Sequence, residues 1–170
     1  RYFDDVTDRW INYGWPVNRK CPTYGNNIWT DGTNIYYSYD SNQFCYELNS
    51  GSPNFINKSW TGLTSFRGQY IWTDGDNIYY SEGSKQYILS GNAWSAKTWT
   101  GLTDFNGDYI WTDGNNIYYS KDSTQYVLNK ETSTWETKTW NGLTSFNGNY
   151  IWTDGTNYYY SNGINQYQFE

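Results

Sequence analysis

The chain has 170 residues, of which 22% are Phe, Trp or Tyr and only 16% are charged, and its formal net charge is −6. So high an aromatic content excludes a disordered chain, and the absence of histidine removes imidazole-based triads together with the commonest zinc, copper and haem ligand. The acidic balance, with no run of like charges, leaves no electrostatic footprint for DNA or RNA, and no apolar stretch approaches the length of a membrane span.

Chain order begins at Arg1, as in a processed mature protein or a piece of a longer one. Residues 6–10, Val-Thr-Asp-Arg-Trp, read as one strand that has no sheet of its own. Segment 11–27 follows. It carries Trp15 beside Pro16 and the adjacent basic pair Arg19 and Lys20, and Trp next to Arg is the composition of a binding hot spot. From Trp10 to Trp29 is 19 residues, against 12 from Trp60 to Trp72, Trp99 to Trp111 and Trp140 to Trp152, which marks a seven-residue insertion. Cys21 and Cys45 lie 24 residues apart, a spacing that fits either one disulfide in an oxidising setting or two buried thiols.

The sequence Ile-Trp-Thr-Asp-Gly then occurs four times, with its Trp at 29, 72, 111 and 152, so repeats start near 28, 70, 109 and 150. A period of about 41 residues implies a repeat architecture. Within residues 70–99, Tyr70 to Thr73 and Asn77 to Ser81 are β-prone runs separated by an Asp-Gly turn, a strong hairpin signal. Gln86 to Leu89 and Trp94 to Trp99 supply two more strands. Each unit therefore reads as a four-stranded antiparallel meander with strands A, B, C and D, and no segment has helical apolar periodicity. The last unit stops after its C strand, Gln166 to Phe169. One N-terminal strand, four sets of A, B and C, and three D strands make sixteen, which is four blades of four. The expected fold is a single all-β domain over residues 1–170, a four-bladed β-propeller closed by strand 6–10 completing the last blade. Closure between two chains, or self-association into a fibre, satisfies the same arithmetic.

The units resemble kelch repeats, a family of propeller blades, through Ile78-Tyr79, Tyr87-Ile88-Leu89 and Trp94, and again through Ile117-Tyr118, Tyr126-Val127-Leu128 and Trp135. Tyr80-Ser81 and Tyr119-Ser120 stand where the family has Gly-Gly, and the period is shorter. The resemblance implies a binding scaffold rather than an enzyme; the family's oxidase branch uses copper-binding histidines that this chain lacks.

Residues recurring in every unit are expected to solve the packing problem common to all blades. On that reading the A-strand tryptophans pack blade to blade rather than forming sugar platforms. Asp31, Asp74, Asp113 and Asp154 build turns with Asn34, Asn77, Asn116 and Asn157 rather than calcium loops. Lys58, Lys97 and Lys138 sit two residues before a Trp, as solvated or cation–π positions. Residues that differ between units are the ligand candidates, and they gather in the B–C and D–A loops: Trp15, Arg19, Lys20, Arg67, Gln69, Glu82, Asp108, Lys121 and Asn149. No metal site and no cofactor is expected.

The 21 asparagines, the one glycosylation sequon at Asn57 and the Tyr and Trp content point to an extracellular or particle-surface protein binding carbohydrate or glycoprotein. A structural component of a particle or larger protein is the alternative. A glycosidase is a remote one, because it would need a carboxylate pair and the non-repeated acidic residues suggest none.

Overall fold

The computed structural model describes residues 2–4, 9–11, 27–39, 42–47, 55–63, 66–102, 104–143 and 145–170. Among these the chain is all-β, and its repeats are the blades of a four-bladed β-propeller. The chain falls into two compact units, Arg1–Ser59 with Leu63–Gly68, and Trp60–Gly62 with Gln69–Glu170.

The first unit holds a hairpin of β1 (Tyr2–Asp4) and β2 (Arg9–Ile11), and one meander of β3 (Asn27–Thr30), β4 (Asn34–Tyr39), β5 (Asn42–Glu47) and β6 (Phe55–Asn57). In the second unit lie two four-stranded meanders. One is β7 (Ile71–Thr73), β8 (Ile78–Glu82), β9 (Lys85–Ser90) and β10 (Ala93–Ala96); the other is β11 (Ile110–Thr112), β12 (Ile117–Lys121), β13 (Thr124–Asn129) and β14 (Thr134–Lys138). A sheet of three, β15 (Ile151–Thr153), β16 (Tyr158–Asn162) and β17 (Asn165–Gln168), follows.

Two expectations bear on the strand arithmetic. Residues 6–8 of the expected closing strand lie outside the described residues; Arg9–Ile11 pairs with Tyr2–Asp4, and among the described residues the last sheet has three strands. The second D strand is also shorter than the expected 94–99, because after Lys97 the chain leaves its sheet. Thr100 bridges in parallel to Thr134 of the next D strand, as Thr61 does to Ala93.

The core is aromatic, as the composition demands. In the second unit Trp72 stacks on Tyr79 at 4.3 Å and is enclosed by Trp99, by Phe105 and by Trp135 of the following blade, at 5.6, 6.0 and 6.1 Å. Trp111 repeats the arrangement on Tyr118 at 4.3 Å, with Trp140 and Phe146. These A-strand indoles thus pack between blades. Trp152 stacks on Tyr159 at 4.2 Å yet is 50% exposed, since no following sheet of its unit covers it. Lys97 and Lys138 lie over Trp99 and Trp140 at 4.6 and 5.0 Å, which makes them cation–π partners.

The Asp-Gly turns are locked from strand B. Asp74 accepts hydrogen bonds from the Asp76 and Asn77 amides and, at 2.7 Å, from the Tyr79 hydroxyl. Asp31 with Tyr36, Asp113 with Tyr118 and Asp154 with Tyr159 repeat it. The carboxylates are therefore committed to turn geometry, as expected. Burial pulls the carboxyls of Asp31, Asp74 and Asp113 up, but these donors outweigh it and hold them below the usual range. Burial and the facing carboxylate push the hydroxyls of Tyr36, Tyr79 and Tyr118 well above theirs.

The sign of the linkage follows. A depressed carboxyl stabilises the fold above its unfolded pKa and loses that contribution as pH falls; a raised phenol stabilises it below its unfolded pKa and loses that contribution as pH rises. With no histidine to titrate between, the urea midpoint is expected to be flat from roughly pH 5 to 9 and to fall on both sides. A slope near neutrality would contradict this.

Candidate ligand-binding face

In the second unit the D–A loops run from Phe105 to Tyr109 and from Phe146 to Tyr150, and each is pinned to the blade before it. Ser81 Oγ donates to Gln86 Oε1 across the β8–β9 pair, and Gln86 Nε2 donates to the Phe105 carbonyl at 2.8 Å. Ser120, Gln125 and Phe146 repeat this at 2.6 Å, and Ser38, Gln43 and Phe66 do so within the first unit at 2.7 Å. All three serines and all three glutamines are buried.

Two residues on, Gly107 lies so close that a Cβ there would fall 2.3 Å from Ser81 Oγ; at Gly148 the distance to Ser120 Oγ would be 2.1 Å. Ser81 and Ser120 are thus the hubs through which one blade holds the loop of the next.

The pinned loop ends on a tyrosine. Tyr70, Tyr109 and Tyr150 are 47, 52 and 61% exposed, and their carbonyls are fixed by the amides of Ser81, Ser120 and Ser161 at 3.1–3.2 Å. Tyr70 and Tyr109 have φ of 53° and 54°. That left-handed conformation is cheap for glycine and costs a bulky residue on the order of 1–3 kcal/mol. Both rings nevertheless stay about half exposed.

Polar groups surround them. Asp108 accepts from the Tyr70 hydroxyl and, at 3.0 Å, from Asn106 Nδ2; burial pushes its carboxyl up, and these two donors only partly offset that. Tyr119 donates to Asn106 Oδ1 at 3.1 Å, and the Asn149 amide donates to Asn147 Oδ1 at 3.2 Å. The loop thus offers an exposed ring beside carboxylate and carboxamide groups.

Of the candidates, Gln69, Asp108 and Asn149 lie in these tyrosine-ended loops of the second unit. Gln69 and Asn149 are exposed, and Asp108 is half-buried. Glu82 is half-buried at the end of β8, and Lys121 is engaged with Asp104 at 3.0 Å. Arg67 is exposed in the first unit. Trp15, Arg19, Lys20 and Cys21 lie outside the described residues, and with them the proposed disulfide; Cys45 is buried. The exposed tyrosines were missed because their recurrence suggested packing. Their place immediately before strand A, outside its alternation, was the available signal.

A propeller of aromatic blades is a fold compatible with a binding or assembly module. No protein-family model matches the chain, and no curated protein matches it.

Proposed function

We propose that the chain is a non-enzymatic binding module of an extracellular or particle surface, and that the face bearing its B–C and D–A loops recognises carbohydrate or the glycan of a glycoprotein. What carries the reading is the pair Tyr70 and Tyr109, each in a left-handed conformation, each about half exposed. A phenol ring offers a flat apolar surface to the C–H face of a sugar, while Asp108, Asn106, Asn147 and Asn149 beside it offer hydroxyl partners. The repeat supplies this arrangement more than once, which suits a ligand with repeating units.

Glycan-array binding at low salt is the test. Retention of several structurally related sugars supports the proposal, and silence across the array contradicts it. A second reading, an assembly component of a larger particle or protein, is favoured by the edge of the last sheet, which has three strands among the described residues.

A further inference from the structure

Loops 105–109 and 146–150 of the second unit are built alike but differ in one charge. The Asp108 amide donates to Asn106 Oδ1 at 3.0 Å, as the Asn149 amide does to Asn147 Oδ1 at 3.2 Å. The same asparagine oxygen accepts from a hydroxyl of the B strand that follows, Tyr119 at 3.1 Å and Tyr160 at 3.4 Å. A carboxamide at 149 thus supports the same turn as a carboxylate at 108. The negative charge of Asp108 is therefore not needed to build the loop, and its counterpart Gln69 is uncharged as well.

That charge meets no cation. Among the described residues no lysine or arginine pairs with Asp108, and Lys121 at the end of β12 is engaged with Asp104 at 3.0 Å. The groups that do donate to the carboxylate, the Tyr70 hydroxyl and Asn106 Nδ2, are neutral. A half-buried carboxylate with neutral donors alone is electrostatically unfinished, since its partial removal from water is not offset by an opposite charge. Asp122 adds to the negative field: burial first, and with it the charges of Asp108 and Asp122, push the Tyr119 hydroxyl up. Alongside lies an aromatic ring. The Tyr70 side chain reaches across to this loop, its Cβ 3.5 Å from where a Cβ of Gly107 would stand, and it is 47% exposed. A carboxylate beside an exposed ring offers a cation both an ion pair and a π face.

We propose that Asp108 makes the subsite at Tyr70 selective for an amino sugar with a free ammonium, such as a glucosamine residue, whereas the subsite at Tyr109, with Asn149 in the matching place, takes neutral or N-acetylated sugar. This selectivity rests on the carbohydrate reading above and adds the charge of the ligand to it. The C–H face of the sugar lies on the Tyr70 ring, and its ammonium donates to the Asp108 carboxylate. N-acetylation removes that charge and leaves the carboxylate without its cation.

The test is calorimetric titration of the full chain with the trisaccharide of glucosamine and with its N-acetylated counterpart, at low salt and about pH 6 so that the amine is charged. The parent is expected to bind the amino form about tenfold or more tightly, and Asp108→Asn, which copies Asn149, to bring the two within about twofold without weakening the N-acetylated form. Asn149→Asp is expected to strengthen binding of the amino form, and it carries the test if Asp108→Asn does not fold. Equal binding of both forms by the parent, or a preference that survives Asp108→Asn, overturns the selectivity and leaves the carbohydrate reading standing. Binding of neither form overturns it too, and silence across the glycan array then separates failure of the carbohydrate reading from failure of the selectivity alone. Nα-acetyl-lysine methylamide carries an ammonium without a sugar ring. If it binds as tightly as the amino sugar, the site takes a protein lysine and the selectivity for sugar is overturned.

Discussion

Trp135→Ala is expected to destabilise the protein by about 3–5 kcal/mol, the largest single-residue effect in the second unit. Trp135 is 2% exposed and touches the rings of Trp72, Trp99, Phe105 and Tyr119 at 5.1–6.1 Å. Its removal therefore opens a cavity shared by two blades and unseats the A-strand indole of the blade before it. Its indole N–H meets no acceptor among the described residues, and the same holds for Trp72, Trp99, Trp111 and Trp140. The rings are thus held by shape and dispersion rather than by hydrogen bonds, and smaller aromatic residues are poor substitutes. Urea unfolding followed by near-ultraviolet circular dichroism measures the loss, and a cost below about 1 kcal/mol would contradict the packing account.

Gln125→Leu is expected to cost about 2–4 kcal/mol, because it strands two buried groups at once, the Ser120 hydroxyl and the Phe146 carbonyl. Leucine has similar bulk, so the loss reports the hydrogen bonds rather than a cavity. The same variant loosens the loop ending at Tyr150 and should raise its amide exchange before the rest of the blade unfolds. Hydrogen exchange checks this directly: protection of Asn147 to Ile151 unchanged from the parent would mean that the glutamine does not hold the loop.

Much of the architecture was legible because the Trp-Thr-Asp-Gly turn and the Tyr-Ser strand after it recur at near-constant spacing. The turn reading of Asp74 and Asn77 followed from turn chemistry alone, and the blade-to-blade role of Trp72 and Trp111 from their recurrence. The Ser81, Gln86 and Phe105 link was not legible. Its three residues recur just as faithfully, but their connection depends on strand register, which sets Ser81 opposite Gln86, and on a loop belonging to the next blade. Hydrophobic pattern and turn length carry no signal for such a polar hub.

Recurrence misled in the other direction at Tyr70 and Tyr109. Repetition was equated with burial, while the left-handed backbone of these two residues is a property of the folded loop. The N-terminal strand was placed by edge arithmetic. Its local hairpin partner, Tyr2–Asp4, has no counterpart in the repeats and so could not be inferred from them.

The central claim is that Tyr70 and Tyr109 are kept strained for a ligand, and glycine at both positions tests it most directly. Once the glycan array has named a sugar, the parent and the double variant Tyr70→Gly with Tyr109→Gly are titrated with it by calorimetry, and their urea midpoints are compared. Glycine relieves the left-handed strain, which offsets the loss of the half-buried rings and of the Tyr70 hydrogen bond to Asp108, so the variant is predicted to stay within about 1 kcal/mol of the parent. It should nevertheless bind the sugar at least tenfold more weakly, about 1.4 kcal/mol. Unchanged affinity in a folded variant would show that the tyrosines serve no ligand there and would contradict the account.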